Sequence, residues 1–471
     1  MADHITESFE ERVYQDNRDE RSELKHNEIY ERPKGIRGIY CHPLFQVCML
    51  GFVCFLCPGM FNALTGLGGG GQVDAESASN ANVALYSTFA AFSFFAGSIN
   101  NKLGPRLTLF IGTMGYTLYI GSFLTINIHS NAGPFVVTAG AILGICAALL
   151  WTAQGSLMLS YPTETQKGTF IAIFWVIFNM GGVVGATVAL GQNFDSKSFS
   201  VGNGTYIGIM ILSLIGVTLP LLMANPAKMI RTDGTKVEHH RHPSWKVEIY
   251  SLWVALRTDP MILLLFPMFF ASNYFYTWQF NDYNGALFDI RARSLNNVVY
   301  WLSQIIGSVA IGSLILDQPR IRRRLRAFAG WTILLAMVFI VNIWAFFYQR
   351  TYTRQSVAAT QQKMDIDDAG YAARIWLMIF CGLLDAMWQT TAYWLMGAMS
   401  NDPAKLAVFV GFYKSLQSAG AAGVWRADAV GIPYMNILLS SWCLIAAGLI
   451  FALPMIYLRV KEHTDVEDEA L

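Results

Sequence analysis

The sequence predicts an all-α integral membrane protein in which twelve transmembrane helices form two six-helix bundles, repeated in the same orientation. Three observations carry that prediction. Hydrophobic residues make up 54% and charged residues 14% of the 471, with a mean hydropathy of +0.38, more apolar material than a water-soluble core of this length uses. Apolar runs of about 20 residues, enough to cross the hydrocarbon layer as a helix, recur twelve times. Landmark residues of the second half also repeat those of the first at a steady offset.

The runs fall at 44–66, 81–100, 107–127, 134–158, 168–190, 204–224, 260–281, 297–316, 328–348, 374–397, 406–424 and 434–458. Residues 1–40 are a charged tail with no apolar core near Met1, so the first run, rather than a cleaved leader, is expected to direct insertion. Residues 41–224 then make the first bundle, 225–259 a central loop, 260–458 the second bundle and 459–471 an acidic tail. With the N-terminus in the cytoplasm, cytoplasmic segments hold 24 of the 33 Lys and Arg, the opposite side eight, and Lys414 falls within a run. This asymmetry, densest in Arg320–Arg326, places both termini in the cytoplasm. A net charge of +1 gives no field that would draw nucleic acid.

The duplication is clearest late in each half. Phe174, Asn179, Gly182 and Gly185 precede Phe412, Gln417, Gly420 and Gly423 by 238 positions, and Trp151 precedes Trp388 by 237. Earlier, Pro58 pairs with Pro267 at 209, and Gly97-Ser98 with Gly312-Ser313 at 215. The loop Gln349–Tyr371, far longer than Ile128–Gly133, absorbs the change in offset. Parallel repeats put a solute site near mid-membrane between the halves. Gly181, Gly182, Gly185, Gly420 and Gly423 read as surfaces of close helix approach.

Between the second and third runs, Gly97-Ser98-Ile99-Asn100-Asn101-Lys102-Leu103-Gly104-Pro105-Arg106 resembles the G-x-x-x-D-R-x-G-R loop of major facilitator transporters. Asn101 stands at the position of the acid and Lys102 at that of an arginine. Gly97, Asn101, Lys102, Gly104 and Arg106 are therefore expected to form an inner gate loop, with glycines folding the turn and cations reaching helix C-terminal carbonyls. Three further segments are Gly51–Leu64 running into Gly68–Gly71, Trp151-Thr152-Ala153-Gln154-Gly155, and Tyr413-Lys414-Ser415-Leu416-Gln417-Ser418-Ala419-Gly420. Together with the loop they make the chain similar to the uncoordinated-93-like branch of that superfamily, in its fungal form, from Lys34 to Lys461. The resemblance implies a twelve-helix facilitator fold, with either transport or, as in animal members, regulation or trafficking of another membrane protein such as a channel or receptor. It implies no particular solute.

Ionisable groups inside a membrane are costly and mark candidate sites. Asp385 lies one turn before Gln389 in the tenth run, and Lys414 three residues before Gln417 in the eleventh. A mutual ion pair would lower the cost of both, acting either as structural glue or as a proton or substrate switch. Asn62, Gln154, Asn179, Gln304, Gln389 and Gln417, with Trp151, Trp175, Trp388 and Tyr413, make a candidate cavity suited to a neutral or amphipathic organic solute rather than a bare ion. Tyr276–Tyr283, at the outer end of the seventh run, reads as an aromatic belt rather than a gate.

Enzyme-like signals fail. Cys54-x-x-Cys57 sits in the first apolar run and reads as a packed thiol pair. His239, His240 and His242 have no companion ligands and read as a solvated basic loop, not a metal site. Gly68–Gly71 lacks the Lys-Ser/Thr of a phosphate loop. The expectation is a non-enzyme without cofactor or metal, whose partners are the lipid bilayer, an unidentified small-molecule solute and, on the regulatory reading, another membrane protein. Asn203-Gly204-Thr205 is a glycosylation sequon on the outer side, but its closeness to the sixth run hinders access.

Overall fold

The computed structural model describes residues 30–31, 33–72, 75–163, 166–196, 198–237, 245–258, 260–316, 318, 320–360, 362–399 and 403–460; His239, His240, His242 and the acidic tail Glu462–Glu469 lie outside them. The helices are α1 (Ile36–Tyr40), α2 (Pro43–Leu56), α3 (Pro58–Gly66), α4 (Glu76–Leu103), α5 (Pro105–Ile128), α6 (Gly133–Ser160), α7 (Lys167–Asn193) and α8 (Asn203–Leu222). They continue as α9 (Trp245–Thr258), α10 (Phe266–Ala271), α11 (Ile290–Ile311), α12 (Arg323–Gln349), α13 (Arg354–Ala358), α14 (Tyr371–Met399), α15 (Pro403–Ala429) and α16 (Tyr434–Arg459).

Ten helical stretches among the described residues are long and apolar enough to cross a bilayer, and they overlie ten of the twelve sequence runs. The first of them, α2 with α3, bends at Cys57, because Pro58 has no N–H to continue the hydrogen-bond ladder. The other two runs depart from expectation. The eleventh is the unbroken helix α15, 27 residues and about 40 Å long, but Lys414, Arg426 and Asp428 lower its hydropathy. The seventh is broken. A 3₁₀ stretch (Pro260–Leu265) leads into α10, the chain turns over 272–275, and a π-helix runs from Thr277 to Gly285. The central loop also differs from its reading, since it contains the 14-residue α9.

Lipid offers no hydrogen bonds, so helices associate by close packing and buried polar contacts. In the first half α4 packs on α6, α5 on α6 and α8, and α2 and α3 on α7. In the second, α11 packs on α14, α12 on α14 and α16, and α10 on α15 and α16. Two seams join the halves, α4 against α15 and α7 against α11. Tyr30 donates to Gly234 O, the Tyr40 hydroxyl to Leu222 O, and Arg324 to Tyr457 O. These bonds gather both ends of the described chain on one face of the bundle, the termini face; the other is the far face.

Glycine permits the closest approaches. A Cβ on Gly181 would lie 2.3 Å from Phe55 O, one on Gly182 2.9 Å from the Trp301 ring, and one on Gly420 2.0 Å from Phe270 O. Gly423 departs from its reading as a contact surface, since nothing lies within 4 Å of its built Cβ. Gly420→Leu should therefore lose at least about 1–3 kcal/mol to overpacking against backbone, while Gly423→Leu stays within about 0.5 kcal/mol. Thermal unfolding of the two variants in detergent checks this.

Candidate functional site

Mid-bundle, the break in the seventh run decides the geometry. Ending α10 at Ala271 frees backbone groups that lipid would leave unpaired. Gln389 Nε2 of α14 answers by donating to Ser272 O at 2.6 Å, and Trp388 Nε1 donates to Ser272 Oγ at 2.9 Å. Asp385, fully buried one turn before Gln389, accepts from the Tyr300 hydroxyl at 3.0 Å, from Gln304 Nε2, and from Gln389 Nε2 at 3.4 Å. Gln389 Oε1 in turn accepts from the Tyr413 hydroxyl and from Gln417 Nε2 at 3.3 Å. Gln417 Nε2 also reaches Asn273 Oδ1 at 2.8 Å, and its Oε1 accepts from Lys414 Nζ at 2.9 Å.

Asp385 and Lys414 are thus not an ion pair, contrary to the sequence reading. Gln389 and Gln417 stand between them, and three phenol or amide donors already satisfy the carboxylate. Lys414 Nζ lies 5.3 Å and 5.6 Å from the ring centroids of Tyr413 and Tyr393. Trp388, Tyr413, Gln304 and Gln417 are buried in this network rather than lining open space. Trp151, Gln154, Trp175, Asn62 and Asn179 are half-buried. The amides of Asn62, Gln154 and Asn179 make no hydrogen bond among the described residues. Trp175 meets Tyr393 of the other half at 6.2 Å, and Phe178 lies 5.5 Å from both Trp151 and Trp175.

A second polar constellation, which sequence reading missed, closes the far face. Four successive glycines, Gly68 to Gly71, have φ of 74°, 54°, 60° and 82°, a path closed to side-chain-bearing residues. It presents their backbone to the opposite half. Arg293 of α11, 1% exposed, donates from Nε to Leu67 O at 2.7 Å, from Nη1 to Phe199 O at 2.8 Å, and from Nη2 to Gly68 O. Gly69 N donates to Asn281 Oδ1 at 2.7 Å, Asn284 Nδ2 to Gly66 O at 2.9 Å, and Asn297 Nδ2 to Ala63 O at 2.6 Å.

Beside this collar, Asp428 of α15 joins the halves. Its Oδ2 accepts from Ser79 Oγ of α4 at 2.7 Å and from Asn281 Nδ2 at 2.8 Å; its Oδ1 lies 2.5 Å from Arg354 Nη2. Arg354 also faces Asp282 Oδ1 at 3.7 Å and stacks on Tyr434 at 4.2 Å. A space of about 10 Å³ enclosed by Gly69, Ala78, Asn82, Asn281 and Trp425 admits at most a water molecule. Tyr276–Tyr283 therefore lies in the contact between the halves and not in a lipid-facing belt; Thr277–Asn284 are all buried.

The loop after α12 adds charge to this seal. A hydrogen bond from Arg291 holds Asp365 below the usual carboxylate range. Lys363 Nζ donates to Gly285 O at 2.6 Å; burial, and after it the nearby Arg293, push the ammonium down from 10.5 to about 7. A state with Lys363 in water keeps its proton up to 10.5, so raising pH above about 7 favours the sealed state, whereas below about 7 both states are charged and the full desolvation cost stands. Melting temperature followed between about pH 6 and 9 should rise with pH, and Lys363→Met should flatten that rise.

At the termini face, α4 ends and α5 begins at Gly104, whose φ of 77° suits only glycine. Gly97 is buried, Asn101 half-buried and Lys102 exposed. Arg106 Nη2 donates to Leu221 O in the last turn of α8, and in the second half Arg324 donates likewise to Tyr457 O of α16. These bonds stay within their own halves. Asn203 is exposed at the first position of α8, its Oδ1 accepting from Asn127. All seven cysteines are free.

The family described as ion channel regulatory protein UNC-93 matches residues 69–451. A UNC93-like protein of Schizosaccharomyces pombe is 48% identical over 446 residues, covering 94% of this chain and 88% of its own. The chain belongs to the UNC-93 family. UNC93-like protein 1 of Arabidopsis thaliana is 42% identical over 426 residues, covering 90% of this UNC-93 chain and 92% of its own. Among solved structures, a D-xylose–proton symporter superposes with a TM-score of 0.58 at 14% identity, covering 88% of this chain and 97% of its own. A nucleoside transporter superposes at 0.57 and 13%, covering 88% and 99%. This UNC-93 protein is accordingly a multi-pass integral membrane protein of facilitator-type fold.

Proposed function

We propose that this chain is a secondary transporter of a small organic solute. It works by alternating access between the halves 41–224 and 260–458, with both termini in the cytoplasm. One observation carries the reading. Buried hydrogen bonds tie the halves at the far face, while at mid-bundle Asn62, Gln154 and Asn179 keep amides without a partner among the described residues, beside half-buried Trp151 and Trp175. Polar groups left free inside a bundle suit a bound solute. A far-face seal over such a site is what an inward-facing member of the cycle requires. The exchange of seams supports the repeat. Under the sequence offsets α4 corresponds to α11 and α7 to α15, so the α4–α15 and α7–α11 contacts are the same contact seen twice. The matched Arg106 and Arg324 caps are a second instance.

The test begins with untargeted metabolite comparison of cells with and without the gene, then flux of the differing solute in proteoliposomes. Cross-linking Ser79→Cys to Asp428→Cys should abolish flux, and a reductant should restore it. Flux that persists through the cross-link sinks alternating access. Asn101 at the position of the motif acid, together with the family's description, favours a second reading, that of a regulatory partner of another membrane protein. On that reading, association with the partner survives the cross-link and no solute accumulates.

A further inference from the structure

Among the described residues Lys414 is the one cation of the mid-bundle site, and no carboxylate pairs with it. No carboxylate among the described residues lies within ion-pair distance; Asp385, the acid of the same network, accepts instead from Tyr300, Gln304 and Gln389. An ammonium has three donors, and only one is used, toward Gln417 Oε1. The flanking rings of Tyr393 and Tyr413 hold the charge within cation–π range. They are also the start of an aromatic wall that passes from Tyr393 to Trp175, Phe178 and Trp151 across the junction of the halves.

A cation kept inside a membrane bundle without a counter-ion is costly unless its charge is met by something that comes and goes. From this, and resting on the transporter reading above, we infer that the site takes an organic monoanion with a flat apolar body, its carboxylate-like group docking on Lys414 and its body lying along Trp175 and Tyr393. The charge balance favours one negative charge: a single Lys without Arg is a point cation, and a dianionic phosphate would leave excess charge in the bundle. The Gln389–Gln417 relay gives the anion a route to Asp385. Docking on Lys414 withdraws the ammonium from Gln417 Oε1 and so reorders the amides that hold the acid.

The experiment uses the purified full chain in lipid nanodiscs and matched probe sets, namely benzoate, benzamide and benzylamine, then indole-3-carboxylate with its amide and its amine. Melting temperature and quenching of tryptophan fluorescence are read. The acids should bind while the amides and amines do not; Lys414→Arg should keep binding and Lys414→Gln should weaken it about tenfold or more. Amides or amines binding as well as acids, undiminished binding by Lys414→Gln, or no acid binding at all would each overturn the inference. If Lys414→Gln does not fold, the acid–amide contrast on the unaltered protein still decides. Flux of a neutral solute that stops on cross-linking Ser79→Cys to Asp428→Cys leaves alternating access standing while this inference falls.

Discussion

Asp428→Ala should open the far face. The carboxylate is the point where α4, the π-helix and the Arg354 segment meet, accepting from Ser79, Asn281 and Arg354 at 2.7, 2.8 and 2.5 Å. Truncation leaves the part-buried guanidinium with Asp282, at 3.7 Å, as its remaining carboxylate, and removes the acceptor that Ser79 and Asn281 share. Breaking a buried pair by removing one partner costs about 3–5 kcal/mol, enough to shift a two-state equilibrium by a hundredfold or more. A cysteine at Ala78, 4% exposed on the wall of the enclosed space, reports the change. In a background with Cys41, Cys48 and Cys443 replaced by serine, a membrane-impermeant maleimide should label it rapidly only when Asp428 is alanine. Asp428→Asn should fall between, since an amide oxygen still accepts from Ser79 and Asn281 but cannot pair with Arg354. Equal labelling with and without Asp428 would remove this residue from the seal.

Arg293→Ala should be the most damaging single substitution for stability. Its guanidinium is 1% exposed and bonds to three carbonyl oxygens from two segments of the other half. Truncation leaves the Leu67 and Phe199 carbonyls unmet where water is scarce and Gly68 O with Gly71 N alone, a loss of about 3–5 kcal/mol once the three charge-assisted bonds are treated as one unit. Arg293→Lys should rescue little, because an ammonium cannot span acceptors placed for a planar fork. Melting temperature in detergent checks both; a lysine variant as stable as the parent would mean that charge, and not the fork, holds the collar.

The membrane itself made most of the fold legible. Lipid demands long apolar helices, so the runs announced themselves, and the glycines at 182 and 420 marked true close approaches. What escaped notice was polarity satisfied at long range. Ser272–Tyr276 reads as a continuation of an aromatic run, and its break depends on Gln389, more than a hundred residues later. Arg293 and Asp428 lie just outside the eighth and eleventh runs, and nothing nearby in sequence marks them, because their partners, Gly68 and Ser79, belong to the other half. The Asp385–Lys414 pairing failed for a related reason. Helical spacing tells which face a residue occupies, but not that two glutamines will fill the interval.

The π-helix from Thr277 to Gly285 gives the seal a spare register. A π turn holds about one residue more than an α turn, and a tightening of one turn rotates everything beyond it by about 100°. Asn281 and Asp282 sit inside that stretch. Were the surplus residue passed along the helix, both side chains would swing off the seam with Gly69, Ser79 and Arg354 while the helical ladder exchanged one set of bonds for another. On the transporter reading proposed above, the far face would then unlatch by the turning of a single short spindle, and the two bundles would follow as bodies released from it, not as the levers that pry it apart.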